Sequence, residues 1–402
     1  MMRRSNGERH YFIPAFTGLA TLLIGIGIGR FGYPPLIPSL VAHGWFSVSE
    51  ADYLGAANLT GYILGSVMAT RLNRWVPSVY LIRVSLVVTT LTFIGCAFRL
   101  AFPWYFLLRL AAGVTGGIFM VLTAPTLFRH TSSQKKGMIG GFIFSGVGIG
   151  IALAGTLIPL LVTAGLPATW LAFAITAVVL TILSWKGWPE GSNERHRPTS
   201  HGSHHKRYAV LNRTVFLLLV SYGCNAIGFV PHTVFWVDFI SRGLGEGIQT
   251  GTSFWVLLGI SAAVGPLLTG YLADKVGFAK SIRISLLVKS VGVLLPLVST
   301  ATWSLALSSV CVGSLALGIS SLAAGRTAEL IGPEEQKRVW GLMTITYSVS
   351  HAATAYLLTY LYSCYHSFYL LFIIGAVALI FASVADYLSS MGSKVSVSLN
   401  AV

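Results

Sequence analysis

Residues 250–299 read TGTSFWVLLGISAAVGPLLTGYLADKVGFAKSIRISLLVKSVGVLLPLVS. Two apolar runs, 250–273 and 281–299, flank a short polar break, and a helix needs roughly 20 mostly apolar residues to cross a bilayer. The same alternation recurs along the whole chain. Of the 402 residues only 10% are charged, while 54% are apolar or aromatic. A soluble chain of this length would need a charged shell around two or three cores. Water is therefore not the main solvent, and the bilayer sets an all-α membrane architecture.

Apolar length and flanking polarity place twelve crossings at 13–40, 52–71, 77–98, 104–128, 138–163, 168–187, 213–240, 250–273, 281–299, 303–325, 338–361 and 366–388. Arg3, Arg4 and Arg9 precede the first run as in a signal peptide, but the run is long and no small-residue cleavage site follows, so it reads as a retained helix. Lys and Arg accumulate in loops on the cytoplasmic side. They cluster at Arg3, Arg4, Arg9; Arg71, Arg74; Arg129, Lys135, Lys136; Arg195, Arg197, Lys206, Arg207; Lys275, Lys280; and Arg326, Lys337, Arg338, leaving only Arg99 and Arg242 opposite. Both termini are expected in the cytoplasm, in agreement with an even number of crossings.

The net charge of +15 does not imply nucleic acid, because that surface needs Lys and Arg clustered on one exposed element and here they are dispersed among loops. Cys96, Cys224, Cys311 and Cys364 lie in or at the ends of apolar runs without the paired spacing of a zinc or redox site, and read as small core residues. The longest polar stretch, Gly187 to Asn212, carries Pro189, Pro198 and a His-rich run at His201, His204 and His205. It reads as a solvated spacer, not a metal site. The expected organisation is a six-helix bundle over 1–187, a cytoplasmic linker over 188–212 and a second six-helix bundle over 213–402.

The two halves carry weak internal similarity. Gly32, Tyr33 and Pro35 answer to Gly228, Phe229 and Pro231; Leu54, Gly55, Gly61, Leu64 and Ala69 answer to Leu258, Gly259, Gly265, Leu268 and Ala273; Arg83-Val84-Ser85-Leu86 answers to Arg283-Ile284-Ser285-Leu286. Apolar likeness is common between membrane helices, but Gly, Pro and Arg anchors recurring in the same order point to a duplicated six-helix unit.

Between the eighth and ninth spans stands Gly270-Tyr271-Leu272-Ala273-Asp274-Lys275-Val276-Gly277. An acid at one helix end can bond the exposed N–H groups of a neighbouring helix start, favoured by its dipole, while glycines permit close approach. Gly270, Asp274, Lys275 and Gly277 are therefore read as a conformational latch, against the plainer alternative of a turn that contains Asp and Gly. The equivalent stretch of the first half, 66–71, lacks the acid. The octet resembles the loop signature of the major facilitator superfamily. In the fourth span Arg109 precedes Gly113, Gly116 and Gly117, similar to that superfamily's pattern of a buried Arg before a Gly-rich stretch, with Ala112 where the pattern has Gln. The fifth span has Gly146, Gly148, Gly150 and Gly155 but no Gly-Pro pair of the antiporter type, so antiport is unsupported. GIGRFGYPPLIP at 27–38 and NLTGYILG at 58–65 together resemble the bacterial YbfB/YjiJ-type branch. The resemblance implies the major facilitator fold, two pseudo-symmetric six-helix bundles in the bacterial cytoplasmic (inner) membrane, with helices 1, 4, 7 and 10 lining a central cavity. The branch name implies no substrate.

Gly25, Gly29 and Gly32 lie at helical spacing and make one smooth face for close packing. Arg30 is different, because a guanidinium near the bilayer interior costs several kcal/mol unless it faces protein or a watery cavity. Arg30 and Arg109 fall at comparable depth, counting about 1.5 Å per residue, and are expected to face one ligand; the alternative is that each ties helices together through carbonyls or a neighbour such as Asn58. The candidate substrate-binding set is Arg30, Arg109, Tyr33, Asn58, Asn225, His232 and Trp236. No carboxylate sits at the centre of any span, so candidates for carrying a coupling proton are His232, Asp238 and His351. Lys289 is expected to snorkel toward the cytoplasmic surface.

A secondary active transporter working by alternating access is expected, with a small organic anion as substrate because both interior charges are positive. An exporter of drugs, a carrier of neutral solutes and a transporter-like sensor without flux remain alternatives. A membrane-embedded enzyme would need a nucleophile or metal cluster, and neither the cysteines nor the histidines form one. No cofactor or metal is expected; the expected partners are a small-molecule substrate, the lipid bilayer and protons.

Overall fold

A computed structural model describes residues 3–129, 131, 135–188, 213–331 and 335–399. The chain divides into two compact units, Met1–His196 and Arg197–Val402. The linker expected over 188–212, with its histidines, lies from residue 189 on outside the described residues.

In the first unit α1 (Arg3–Leu22) runs into a π-helical turn, Leu23–Ile28, then breaks and resumes as a 3-10 turn, Pro34–Leu36, and the short α2 (Ile37–Ala42). It continues with α3 (Val48–Leu72), α4 (Ser78–Cys96), α5 (Phe102–Phe128), α6 (Lys136–Val162) and α7 (Leu166–Ser184). The second unit opens with α8 (Arg213–Val230), which passes through a π-helical turn, Pro231–Phe235, the short α9 (Trp236–Asp238) and a second π-helical turn, Phe239–Gly243. Then come α10 (Gly247–Val276), α11 (Phe278–Val298), α12 (Thr302–Ile331), α13 (Gln336–Tyr365) and α14 (Phe368–Leu399). Among the described residues nine helical segments are long and apolar enough to cross a membrane. The helix that passes through Ile28, α3 and α13 lie where the other three spans were expected, at 13–40, 52–71 and 338–361.

Local chemistry sets the helix boundaries. A capping box starts α3: Ser47 Oγ accepts from the Glu50 amide at 3.3 Å, and a Glu50 carboxylate oxygen accepts from the Ser47 amide at 2.8 Å. Only Gly277 separates α10 from α11, with φ of 86°, a corner that a side chain would strain. Inside the helices hydroxyls return to carbonyls one turn back, as Thr21 does to Thr17 at 2.8 Å, which satisfies them where no water is at hand.

The anchors of the repeat do equivalent work in each unit. Gly61 of α3 lies against the backbone of Leu110 in α5, and Gly265 of α10 lies against the backbone of Ser314 in α12; a Cβ at either glycine would overlap the facing chain. Facing them, Gly113 abuts the backbone of Asn58 and Gly313 that of Leu258. Arg83 of α4 donates to the Trp185 carbonyl just beyond α7 at 2.6 Å. Arg283 of α11 donates to Ser390 Oγ of α14 at 2.9 Å and lies 3.7 Å from the Asp386 carboxylate.

Three expectations are corrected. Arg326 is not a loop residue, because α12 continues to Ile331; it is 8% exposed and pairs with Glu329 one turn on at 2.5 Å. Among the cysteines Cys96 is buried and Cys364 is exposed. The glycine face of the first helix is split: Gly25 meets the Phe119 ring, whereas a Cβ on Gly29 or Gly32 would meet the helix's own carbonyls at Gly25 and Ile28.

Candidate functional site

In the first unit the site grows out of a broken helix. The Gly29 amide bonds the Ile24 carbonyl at 3.0 Å and the Phe31 amide the Ile26 carbonyl at 3.2 Å, five residues back in each case. Pro34 and Pro35 follow without amide hydrogens, so the α-helical ladder cannot run through them. The break sets Gly29, Arg30 and Tyr33 against neighbouring helices. Arg109 of α5 donates from its guanidinium to the Gly29 carbonyl at 3.1 Å and lies 4.2 Å from the centroid of the Tyr33 ring. Tyr33 Oη donates to the Ala51 carbonyl of α3 at 2.9 Å, and Asn58 of α3 donates from Nδ2 to the Arg109 carbonyl at 3.2 Å. Arg109, Tyr33 and Asn58 are thus joined in one network, all three nearly closed to solvent.

Arg30 is half-buried. Its guanidinium carbon lies 4.9 Å from the centroid of the Tyr62 ring of α3 and 5.3 Å from that of Phe31. Among the described residues its nitrogens make no hydrogen bond and no carboxylate lies within ion-pair distance. The two arginines sit at one level, since Arg109 bonds the carbonyl that precedes Arg30. They differ in access: Arg109 is enclosed and engaged, and Arg30 keeps a free edge.

In the second unit Asn225, His232 and Trp236 are fully buried. His232 Nε2 lies 2.8 Å from Ser308 Oγ of α12, which in turn donates to the Gly292 carbonyl at 2.7 Å. The His232 and Trp236 rings stack at 4.4 Å, and Trp236 Nε1 donates to Ser309 Oγ at 3.0 Å. Neither ring is open to a ligand in this conformation. His351 of α13 lies with Nε2 3.0 Å from Thr233 Oγ1 and stacks on Tyr347. Asp238 makes a two-pronged ion pair with Arg242, which is 74% exposed. Asp274 and Lys275 are exposed in the last turn of α10, where Lys275 Nζ lies 4.5 Å from the Tyr271 ring, and Gly270 is buried.

Lys289 corrects the expectation of a snorkelling side chain. It is fully buried, donates from Nζ to Asn225 Oδ1 of α8 at 2.8 Å and lies 4.5 Å from the Phe229 ring. Two polar residues in otherwise apolar spans were the signal that could have paired them. For Tyr62 the sequence carried no signal, because nothing in its spacing distinguishes it from a packing aromatic. Among the described residues no group of His, Cys, Asp and Glu could hold a metal ion.

Solved structures share this fold. The transporter FucP in its outward conformation aligns with a TM-score of 0.74 at 12% identity, covering 94% of this chain and 99% of that one. The human organic anion transporter MFSD10 aligns with a TM-score of 0.73 at 13% identity and the same coverage. Among curated proteins, the transporter YgaY of Escherichia coli O157:H7 is 26% identical over 193 residues, 46% of this chain and 48% of the relative. The chain thus spans about half the length of the curated relatives it matches. The family described as "Uncharacterised MFS-type transporter YbfB" matches residues 22–387, nearly the whole helical region, and the chain belongs to that family of multi-pass membrane proteins.

Proposed function

We propose that the chain is a secondary carrier that moves a small organic anion across the cytoplasmic membrane by alternating access, with Arg30 meeting the anion's charge. One observation carries the reading: Arg30 is a half-buried guanidinium about 5 Å from the centroids of two rings, with no acid in ion-pair reach among the described residues. Such a charge in a spanning segment is costly without a partner. With no hydrogen bond to protein among the described residues, the fork has N–H groups to offer a carboxylate or similar group, which a planar guanidinium binds through two parallel hydrogen bonds. Arg109 supports the site by fixing the Gly29 carbonyl beside it. The fold neighbours include a fucose:proton symporter and an organic anion transporter, so the fold accommodates both substrate classes and Arg30 is what favours the anion.

The test is a thermal-shift screen of the purified protein against organic acids, amines and sugars, because a ligand selective for the folded state raises apparent stability. Organic acids are expected among the stabilising compounds. Arg30→Gln should weaken their binding at least about tenfold, the loss of one charge-assisted hydrogen bond or more, with basal stability unchanged, and Arg30→Lys should restore only part. Stabilisation confined to amines or sugars, or an acid that still binds Arg30→Gln at full strength, would overturn the assignment.

A further inference from the structure

We propose that Lys289 is a proton-binding site buried in the second unit, able to hold the coupling proton of the transport cycle; that role rests on the carrier reading above, whereas the binding itself does not. Lys289 Nζ has an amide oxygen, Asn225 Oδ1, at 2.8 Å and the face of Phe229 at 4.5 Å. No carboxylate lies within ion-pair distance of it among the described residues. An acid partner would fix the ammonium form. An amide oxygen does not, because both the ammonium and the neutral amine carry an N–H to donate. Release therefore leaves the Asn225 bond in place: the N–H bond breaks, the proton passes to water and the nitrogen keeps the electron pair.

The groups around the site support a single proton there. From the π-helical turn after α8 the titratable neighbour is His232, while α8 itself carries the uncharged Tyr222 and Cys224. Ser308 Oγ gives its one hydrogen to the Gly292 carbonyl, so the His232 ring must donate from Nε2 to that oxygen. Its Nδ1 then carries a lone pair and has no hydrogen-bond partner, and a proton placed on it would stand near the Lys289 charge. From α12 come the uncharged Ser308, Ser309 and Cys311, the last facing Gly292 one turn from Lys289, and, toward its far end, Arg326 paired with Glu329. From α14 the acid is Asp386, held beside Arg283, six residues before Lys289 and about 9 Å away along α11. From α10 come Asp274 and Lys275, both exposed at its last turn. A proton needs no cavity, so a packed site suits it where a metal or an anion would need room. Beyond Phe229, α8 passes into the π-helical turn Pro231–Phe235, and such turns often mark functional sites in helices. A shift of α8 against α11 there would open Lys289 to water.

The test uses the full chain in lipid nanodiscs, labelled with 13C at lysine Cε, and follows the resonances with pH. Lys289→Met removes one resonance and so assigns it. That resonance is expected to move through a single transition at a pH separate from the exposed lysines. In Asn225→Asp, which keeps Lys289 and adds an acid, the resonance is expected to stay at the charged position. If Lys289→Met does not fold, the resonance displaced by Asn225→Asp serves as the assignment. A resonance fixed in one protonation state over the whole folded range, one that moves with the exposed lysines, or one whose titration Asn225→Asp leaves unchanged would overturn the proposal. None of these outcomes depends on Arg30, so the anion reading and the proton site can fail separately.

Discussion

Arg30 and Arg109 show how two identical side chains at one depth acquire different roles from what surrounds them. Arg109 has a carbonyl of the broken first helix, a tyrosine face and a closed environment. Removing its guanidinium leaves the Gly29 carbonyl without that donor and the Tyr33 ring without its cation, a cost of roughly 1–3 kcal/mol. Arg109→Gln is therefore expected to lower the thermal midpoint of the purified protein, whereas Arg30→Gln leaves it unchanged. A midpoint unaffected in Arg109→Gln, together with loss of acid binding, would move Arg109 from support to ligand contact. The sequence made Arg30, Arg109, Tyr33 and Asn58 visible because polar groups in apolar spans need partners. It misplaced Lys289 because position along a span gives depth and does not give the face a side chain occupies.

At the scale of the helices, most boundaries were legible to within a few residues, since apolar runs and flanking Gly, Pro and Ser mark where backbone groups meet water, but α1 begins at Arg3 where 13 was expected, α12 runs to Ile331 where 325 was, and α14 runs to Leu399 where 388 was. The interruptions were less so. Pro34, Pro35 and Pro231 announced bends, but the π-helical turns beside them depend on hydrogen bonds shifted by one residue, which no residue type signals. The α10–α11 corner offers two substitutions with separate expectations. Gly277→Ala places a Cβ at φ of 86° and should destabilise the protein by about 1–2 kcal/mol. Asp274→Asn should leave the thermal midpoint within about 0.5 kcal/mol, as an exposed change does. As a member of the proposed latch, it should still change the rate at which a cysteine placed at Ala279 is labelled by maleimide, because the helix-end contact loses its charge. Equal labelling in Asp274→Asn and the parent would remove the latch.

For the whole molecule, duplication is the organising fact, visible first as ordered Gly, Pro and Arg anchors and then as equal contacts: Gly61 on Leu110 and Gly265 on Ser314, Arg83 reaching the end of α7 and Arg283 reaching α14. A repeat of six spans returns the chain to the side on which it began, so both halves should start on the same face of the membrane. The charge distribution selects that face. Arg71, Arg74, Lys135, Lys136, Lys275, Lys280, Lys337 and Arg338 all fall between or at the ends of the expected spans on one side, while Arg99 and Arg242 fall on the other, and retention of basic loops is expected to make the richer side cytoplasmic. A green fluorescent protein inserted within 188–212 is accordingly expected to fluoresce. Alkaline phosphatase fused after Gly165, between α6 and α7, is expected to be active, since it folds only outside the cytoplasm, where its disulfides form. The two reporters probe opposite loops of one unit, so a consistent reversal of both would invert the protein without altering its fold. That result would place Asp274 and Gly277 on the outer surface, and the proposed latch would then govern the outward opening in place of the inward one.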